Sequence, residues 1–411
     1  MKKVLLICYY FPPLGLGGVG RPLNLFKRLP GFQYDCHILT VKPVTYRHYE
    51  PELLEGLDTN RIFRSGSRDP QRLMYLLGLR KVSPGMIESG HKVSERFFPD
   101  SKEGWVKPAI RLGRTLLNNY RYNAIISTSP PVSSHLIARR LAAEYSVPWV
   151  ADFRDFWTSY KIEATYTGGK NIQKGLKLLA DIKKEAAALT VVNRTLAEYF
   201  NTNEIIANGY DDLAELWREP QDTKYFHIGL LGHQHEDKAV TPLFEVLSRL
   251  KTSAPSAFDK VRIIQVGQVN RDWFEKYLDG FDLKDKCVIH GFKERKETIR
   301  ILSEASLFYI GLEAAGEQKI MPARMYDLLA SGRQVMAYVA RDSEIARLLD
   351  ETGAGMYFDD ATITAAVAFL QRRVDLSGQG QLPIKPLPAY ARPYSSSTMA
   401  GKFARLLDRL T

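Results

Sequence analysis

The chain begins Met1-Lys2-Lys3-Val4-Leu5-Leu6-Ile7-Cys8-Tyr9-Tyr10-Phe11-Pro12-Pro13-Leu14-Gly15-Leu16-Gly17-Gly18-Val19-Gly20-Arg21, and the reading of this stretch decides the fold. A basic start and an apolar run have the outline of a short signal peptide. Pro12-Pro13 and a glycine cluster follow, however, where a small-residue cleavage site would stand. The run is apolar throughout rather than alternating, which predicts a strand covered on both faces. The glycines then read as a turn into a helix from about Arg21, giving a strand–turn–helix unit of a parallel sheet.

Working outward, the same unit recurs. Apolar, β-rich runs lie at 36–41, 61–64, 124–129, 149–153, 189–192 and 205–207, and again at 228–232, 262–267, 288–292, 307–312, 334–339 and 355–358, with helical patterns between them. The prediction is an α/β protein with two Rossmann-like, doubly wound parallel sheets. A length of 411 residues suits two domains or three. Turn residues at Asn208-Gly209-Tyr210-Asp211 mark the junction, giving a first domain at 1–207 and a second at 208–390. The stretch from Leu376 to Pro388, with glycines and prolines, reads as an extended connector, after which a helix at 394–411 packs back on the first domain. Domains of this kind facing an interdomain cleft hold ligands at the carboxyl ends of their strands.

Apolar residues make up 45% and charged ones 25%, which excludes disordered, collagen-like and coiled-coil classes. No apolar run approaches the roughly 20 residues needed to span a bilayer. Three cysteines make no disulfide framework, and Cys8 and Cys36 fall in strands, so buried thiols and a cytoplasmic location are expected. The net charge is +11, with 30 Lys and Arg against 17 Asp and Glu in residues 1–200 but 27 against 29 thereafter. A basic first half points to an anionic partner. Within it, residues 61–121 hold 13 basic and 5 acidic side chains. The basic-flanked apolar segment from Arg72 to Lys81 reads equally as an anchor on an anionic membrane surface or as a buried helix. No recognition motif accompanies the charge, so nucleic acid is not an expected partner.

Gly15, Gly17 and Gly20 satisfy G-x-G-x-x-G by letter. Tyr10 to Leu14 separate them from the strand, and the second strand closes Leu39-Thr40-Val41-Lys42 without an acid, which argues against NAD. The glycines would still let backbone amides approach an anion at the helix start; a tight turn is the simpler reading. Asp152, Arg154 and Asp155 stand where a buried strand ends, a position for ligands, or for an Arg154–Asp salt bridge that fixes the loop. Ser127-Thr128-Ser129-Pro130-Pro131 forms a polar turn before a helix carrying His135, a residue more often structural than functional in that setting. His233-Gln234-His235-Glu236-Asp237 hints at a metal, but no further ligands recur at a recognisable spacing and none is expected. Lys238 suits a phosphate or solvent alike.

From Gly316 to Gly332 a loop feeds a helix, with Pro322 at its first position. Met325, Leu328 and Leu329 form one stripe; Arg324, Asp327 and Ser331 form another. Arg324 would bond a diphosphate and Asp327 the vicinal hydroxyls of a ribose. The alternative is an Arg–Asp pair on the surface.

Taken in order, Ile7 to Pro13 with Gly17-Gly18-Val19-Gly20-Arg21, Phe98-Pro99-Asp100 with Trp105, Asp152 to Trp157, Asn208 to Asp211 and Pro322 to Gly332 resemble glycosyltransferase family 4, over nearly the whole chain. The resemblance implies the GT-B fold. It implies metal-independent, retaining transfer of a hexose from a nucleotide-diphosphate sugar, of UDP or GDP type, without a further cofactor. The acceptor would be a lipid-linked glycan or polysaccharide of the cell envelope, reached at the inner face of the plasma membrane. Donor-binding positions would be Gly17, Gly18, Gly232, Lys238, Gly291, Phe292, Gly316, Gln318, Lys319, Ile320, Arg324 and Asp327. Arg21 and His135 would meet the acceptor, and Asp152, Arg154 and Asp155 would serve catalysis. The sequence departs from the family at Lys319, where a glutamate is common, at His233 in place of arginine, at Asp327 in place of glutamate, and at Gln334 in place of proline. The departures at Lys319, His233 and Asp327 leave open a non-catalytic nucleotide-sugar-binding partner of an active transferase, and the same architecture leaves open a nucleotide-sugar epimerase.

Overall fold

The structure, a computed structural model, describes residues 1–15, 18–43, 49–69, 72, 97–157, 169–222, 224–232, 239–312 and 319–411. The chain divides into two compact units, Met1–Asn208 with Ser396–Thr411, and Gly209–Ser395.

In the first unit, β1 (Lys2–Ile7), β2 (Tyr34–Val41), β3 (Ile62–Ser65), β4 (Ala124–Ser129), β5 (Trp149–Phe153) and β6 (Ala188–Val191) form a parallel sheet ordered β3-β2-β1-β4-β5-β6. Strand order reverses between β1 and β4, which makes that gap the switch point of the sheet. Both faces are covered, as an uninterrupted apolar strand requires. Leu5 and Ile7 enter a core shared with Ala109, Ile137, Leu141 and Ile182. Val4 and Leu6 point to the other face, against Leu25, Phe26, Phe403 and Leu407. The final helix, Ser396–Leu410, thus completes the core of the unit that opens the chain. The strand expected at 205–207 is a single bridge between Val191 and Ile205, because turn residues at Asn203 and Asn208 leave no room for a ladder. Cys8 and Cys36 are free and buried.

In the second unit, β7 (Phe226–Leu231), β8 (Val261–Val266), β9 (Cys287–Ile289), β10 (Leu307–Gly311), β11 (Gln334–Tyr338) and β12 (Gly355–Phe358) form a second parallel sheet, ordered β12-β11-β10-β7-β8-β9. This is the same winding, with the reversal between β7 and β10. The connector expected from Leu376 begins as helix, since Ile363–Gly378 runs through Leu376 and Ser377 before the chain becomes irregular.

One buried ion pair organises the first unit. Asp152 of β5 lies in register with Thr128 of β4 and Thr190 of β6, so all three side chains share a face of the sheet. Both threonine hydroxyls donate to the carboxylate at 2.7 Å. Arg21, from the helix Gly20–Arg28, closes over it with Nε and Nη2 at 2.9 and 2.7 Å. The two side chains are 1% and 0% exposed. Arg21 Nη1 also donates to the Ala207 carbonyl and to Asn208 Oδ1, each at 3.2 Å, and its guanidinium lies 5.1 Å from the Phe403 ring centroid. Burial alone would raise the Asp152 pKa, but the Arg21 charge and the donated hydrogen bonds carry it below the usual carboxylate range. Its contribution to stability is therefore full above the unfolded carboxylate range and lost as pH falls through the folded value. Asp152→Asn keeps the shape and strands the Arg21 charge, so it should cost about 3–5 kcal/mol in urea denaturation. Replacing both partners by apolar residues should cost less; equal losses would show that the charge itself is not what matters.

Candidate functional site

At the carboxyl end of the first sheet, Arg154 follows β5 directly. Its Nε donates to the Ser129 carbonyl and its Nη2 to that of Pro130, both at 3.0 Å, while Nη1 donates to the Gly18 carbonyl. The loop anchor expected as an Arg–Asp salt bridge is thus built on backbone carbonyls, which draw together the glycine turn, the 129–130 turn and the end of β5. Burial lowers the Arg154 pKa, opposed by Asp152. Asp155 is exposed, with Oδ1 accepting from the Phe156 amide at 2.7 Å.

Three residues expected at the acceptor or in catalysis lie inside the unit. Arg21 and Asp152 are the buried pair described above. His135 has no exposed surface. Its Nδ1 is 2.7 Å from Ser127 Oγ, which also accepts from Trp149 Nε1, and its ring lies 4.3 Å from that of Phe153. Burial pushes its pKa down to about 3, so the imidazole is neutral. Asp152 points inward because it sits within β5 rather than beyond it. His135 faces the sheet because Asp100 fixes the start of its helix: the Asp100 carboxylate accepts from the Ser133 amide and hydroxyl, both at 2.8 Å.

The second sheet carries a glycine at the end of three strands. Gly232, Gly267 and Gly291 follow β7, β8 and β9 with φ of +104°, +132° and +69°, a region that side chains with a Cβ rarely adopt. Gln265 of β8, fully buried, donates from Nε2 to the Gly232 carbonyl at 3.0 Å. A Cβ on Gly267 would stand 2.1 Å from that same carbonyl oxygen, and one on Gly232 would stand 3.1 Å from Arg324 Nη1. The Gly232 peptide is thus clamped, with the Arg324 guanidinium lying directly against it beside the β7–β10 switch point.

The helix carrying Arg324 runs Arg324–Ala330, with Ala323 as its N-cap. Pro322 therefore precedes the helix instead of opening it, its carbonyl accepting from the Met325 amide at 2.9 Å. One turn along, Asp327 faces Arg295 of the helix Arg295–Leu302, whose Nη2 is 3.4 and 3.5 Å from its two oxygens. Arg295 Nη1 also pairs with Asp211. Burial pushes the Asp327 pKa up to about 6, with Arg295 pulling it down and Asp211 adding to the rise. Phe292 is 47% exposed beside Gly291; Lys319 is exposed and Ile320 half-buried ahead of the helix. An arginine against a clamped glycine suits an anion, and a carboxylate one turn away suits hydroxyl donors. Gln265, Gly267, Arg295 and Asp211 were not among the expected residues. The repeated strand-end glycine of Leu231-Gly232 and Val266-Gly267 was the available signal for one of them.

Gly17, Lys238, Gly316 and Gln318 lie outside the described residues, as do the His233–Asp237 stretch and residues 73–81. Among the described residues no group of three or more His, Cys, Asp or Glu side chains could hold a metal ion, and no helix is long and apolar enough to cross a membrane.

No family model and no curated protein matches the sequence. Solved structures match along the full length. Sucrose-phosphate synthase from Thermosynechococcus elongatus is 13% identical, with 100% of this chain and 99% of that chain covered at a TM-score of 0.62. HepE from Anabaena, in complex with UDP and glucose, is 12% identical over 100% of both chains at 0.60. The lipopolysaccharide outer core galactosyltransferase WaaB is 10% identical over 100% and 99% at 0.61. At such identities the likeness is one of fold: the chain has the two-sheet α/β architecture of the GT-B glycosyltransferases.

The glycine geometry separates two substitutions. Gly267→Ala combines a forbidden backbone angle with a collision at the Gly232 carbonyl and should cost at least about 3 kcal/mol. Gly291→Ala meets nothing within 4 Å and should cost only about 1–2 kcal/mol for its positive φ. Equal melting temperatures for the two variants would refute the clamp.

Proposed function

We propose that the chain is a retaining, metal-independent hexosyltransferase that uses a nucleotide-diphosphate sugar of UDP or GDP type. The observation that carries this reading is the placement of Arg324 and Asp327 one helical turn apart, on the helix that follows the β7–β10 switch point of a GT-B fold. Arg324, Lys238, Lys319 and the loop amides from Gly316 through Gln318 to Ile320 would hold the diphosphate, and Asp327 would accept from the ribose hydroxyls. The base would meet the segment around Gly291 and the exposed face of Phe292. HepE, of the same fold, was solved with UDP-glucose, which makes UDP the first base to test.

In the reaction the bond from the sugar's anomeric carbon to the β-phosphate oxygen breaks, and charge accumulates on the departing diphosphate. Fixed cations and amides stabilise that charge without reorganising; this chain supplies them itself, which is why no divalent ion is called for. The acceptor oxygen attacks the same face, and its proton passes to the departing phosphate oxygen. In the first unit, Arg154, with the turn of Gly17 and Gly18, supplies positive charge at the carboxyl ends of the strands. Asp155 is the exposed acid best placed to orient an acceptor hydroxyl. Asp152, Arg21 and His135 act from within as the scaffold of that edge. The basic composition of residues 61–121 suits a lipid-linked or polysaccharide acceptor at the cytoplasmic face of the plasma membrane, where the protein would be peripheral.

The test is thermal stabilisation by UDP, GDP, ADP, CDP and NAD in EDTA. One nucleoside diphosphate should raise the melting temperature, by about 2.7 kcal/mol of stabilisation at a hundredfold excess over Kd, and Asp327→Ala should abolish the shift. A shift with NAD alone, or only after divalent metal is added, would overturn the reading. Product analysis of the matching nucleotide sugar then separates enzymes: epimerised nucleotide sugar without acceptor would identify an epimerase, and binding without turnover on envelope glycans would identify a non-catalytic partner.

A further inference from the structure

We propose that Arg295 and Asp211 are positioning residues of the donor site: one guanidinium, shared between two carboxylates, fixes where Asp327 points and how firmly it holds its charge when a nucleotide sugar arrives. The proposal rests on the donor reading above and extends it to two residues outside the loop and helix that would touch the ligand.

The geometry is unequal. Arg295 makes its close contact with Asp211 through Nη1 and reaches Asp327 only at 3.4–3.5 Å through Nη2. Asp211 is itself held in place, since its Oδ1 accepts from the Leu213 amide at 3.1 Å and caps the short helix Asp212–Leu216. Arg295 projects from a regular helix. Both arms of the pair are therefore anchored on backbone structure, and the guanidinium is strung between them. The segment Ala389–Tyr394 also packs on the helix of Asp327, but it presents Tyr394 to Tyr326, with ring centroids 5.6 Å apart, and its Arg392 lies by Tyr210. Among the described residues, the charges that bear on Asp327 are Arg295 and Asp211. They act in opposite directions, because two acids compete for one cation.

This arrangement has a purpose that a simple surface pair lacks. A carboxylate accepts hydrogen bonds from vicinal hydroxyls best when ionised and pointed, and a tight bidentate pair would take up two of its roughly four lone-pair sites and fix both oxygens on the arginine. The longer contact with Arg295 steadies the Asp327 carboxylate while leaving its oxygens free to accept. Asp211 keeps the guanidinium from closing on Asp327 completely.

The experiment has a ligand-free arm and a binding arm. Ionising Asp327 inside the folded unit costs stability, so the stability gained by Asp327→Asn should grow as pH rises and level off at the folded pKa of Asp327. Melting temperatures from pH 4 to 8 should place that levelling near pH 6 in the parent. In an Arg295→Met background it should move up by about 1–3 pH units; in an Asp211→Asn background, where the capping oxygen is retained, it should move down. Arg295→Lys should restore the parent value in part. A purely structural role for the two residues would lower all melting temperatures and leave the levelling pH where it was, which would overturn the proposal. In the second arm, UDP-glucose, whose diphosphate does not titrate in this range, should lose affinity about tenfold per pH unit below the same levelling point. That limb should move with the backgrounds. A limb that stays fixed while the levelling moves would remove Arg295 and Asp211 from donor positioning. If the levelling moves but no UDP-sugar or GDP-sugar binds at any pH, the donor reading fails and the three-residue coupling stands without it.

Discussion

The bidentate contact between Arg21 and Asp152 is the interaction on which the first unit depends. Removing two charges from water is costly, and the cost is met only where every lone pair and proton finds a partner. Here the sheet supplies two threonine hydroxyls in register on either side, and the arginine spends its remaining donors on the chain where it leaves the unit. Because Arg21 heads the first helix and rests on Phe403, one contact ties together a glycine turn, the middle of a sheet and the last helix of the chain. The loop that Arg154 gathers at the strand ends is held on a frame already made rigid beneath it.

The two sheets use the same winding for different chemistry. At the carboxyl edge of the first, a guanidinium is held by carbonyl oxygens, one carboxylate, Asp152, is turned inward, and another, Asp155, is left exposed. At the edge of the second, backbone is packed so closely at Gly267 that glycine is required, and among the described residues Arg295 is shared between the two acids Asp211 and Asp327. A cation against bare backbone and a carboxylate one turn along the same helix are the features that the donor reading proposed above would use.

How much of this could be read from the sequence follows from the range of the interactions. Both sheets were legible because strands buried on two faces are apolar without interruption, as at Val4 to Ile7. The pairing of Arg324 and Asp327 on one helix was legible because their spacing is local. Asp152 was misjudged because its surroundings are long-range: nothing near it in sequence shows that Thr128, Thr190 and Arg21 converge on it. The same holds for His135, whose orientation is set by Asp100 and Ser127, and for Arg295, whose two partners come from distant segments. The missing strand at 205–207 and the late helix start after Pro322 are boundary effects, in which turn and capping geometry overrode apolar or proline signals.

The last helix carries a consequence for the order in which the molecule can be made. Met399, Phe403 and Leu407 fill the same core as Phe26 and Leu6, but they leave the ribosome after all of the second unit. The unit that is synthesised first therefore remains open along one face of its sheet, with apolar side chains uncovered, throughout translation of the residues between. The second unit, contiguous in sequence, can close as soon as it emerges. During biosynthesis the amino-terminal half is accordingly the one in need of protection from aggregation, and its completion waits for the helix Ser396–Leu410.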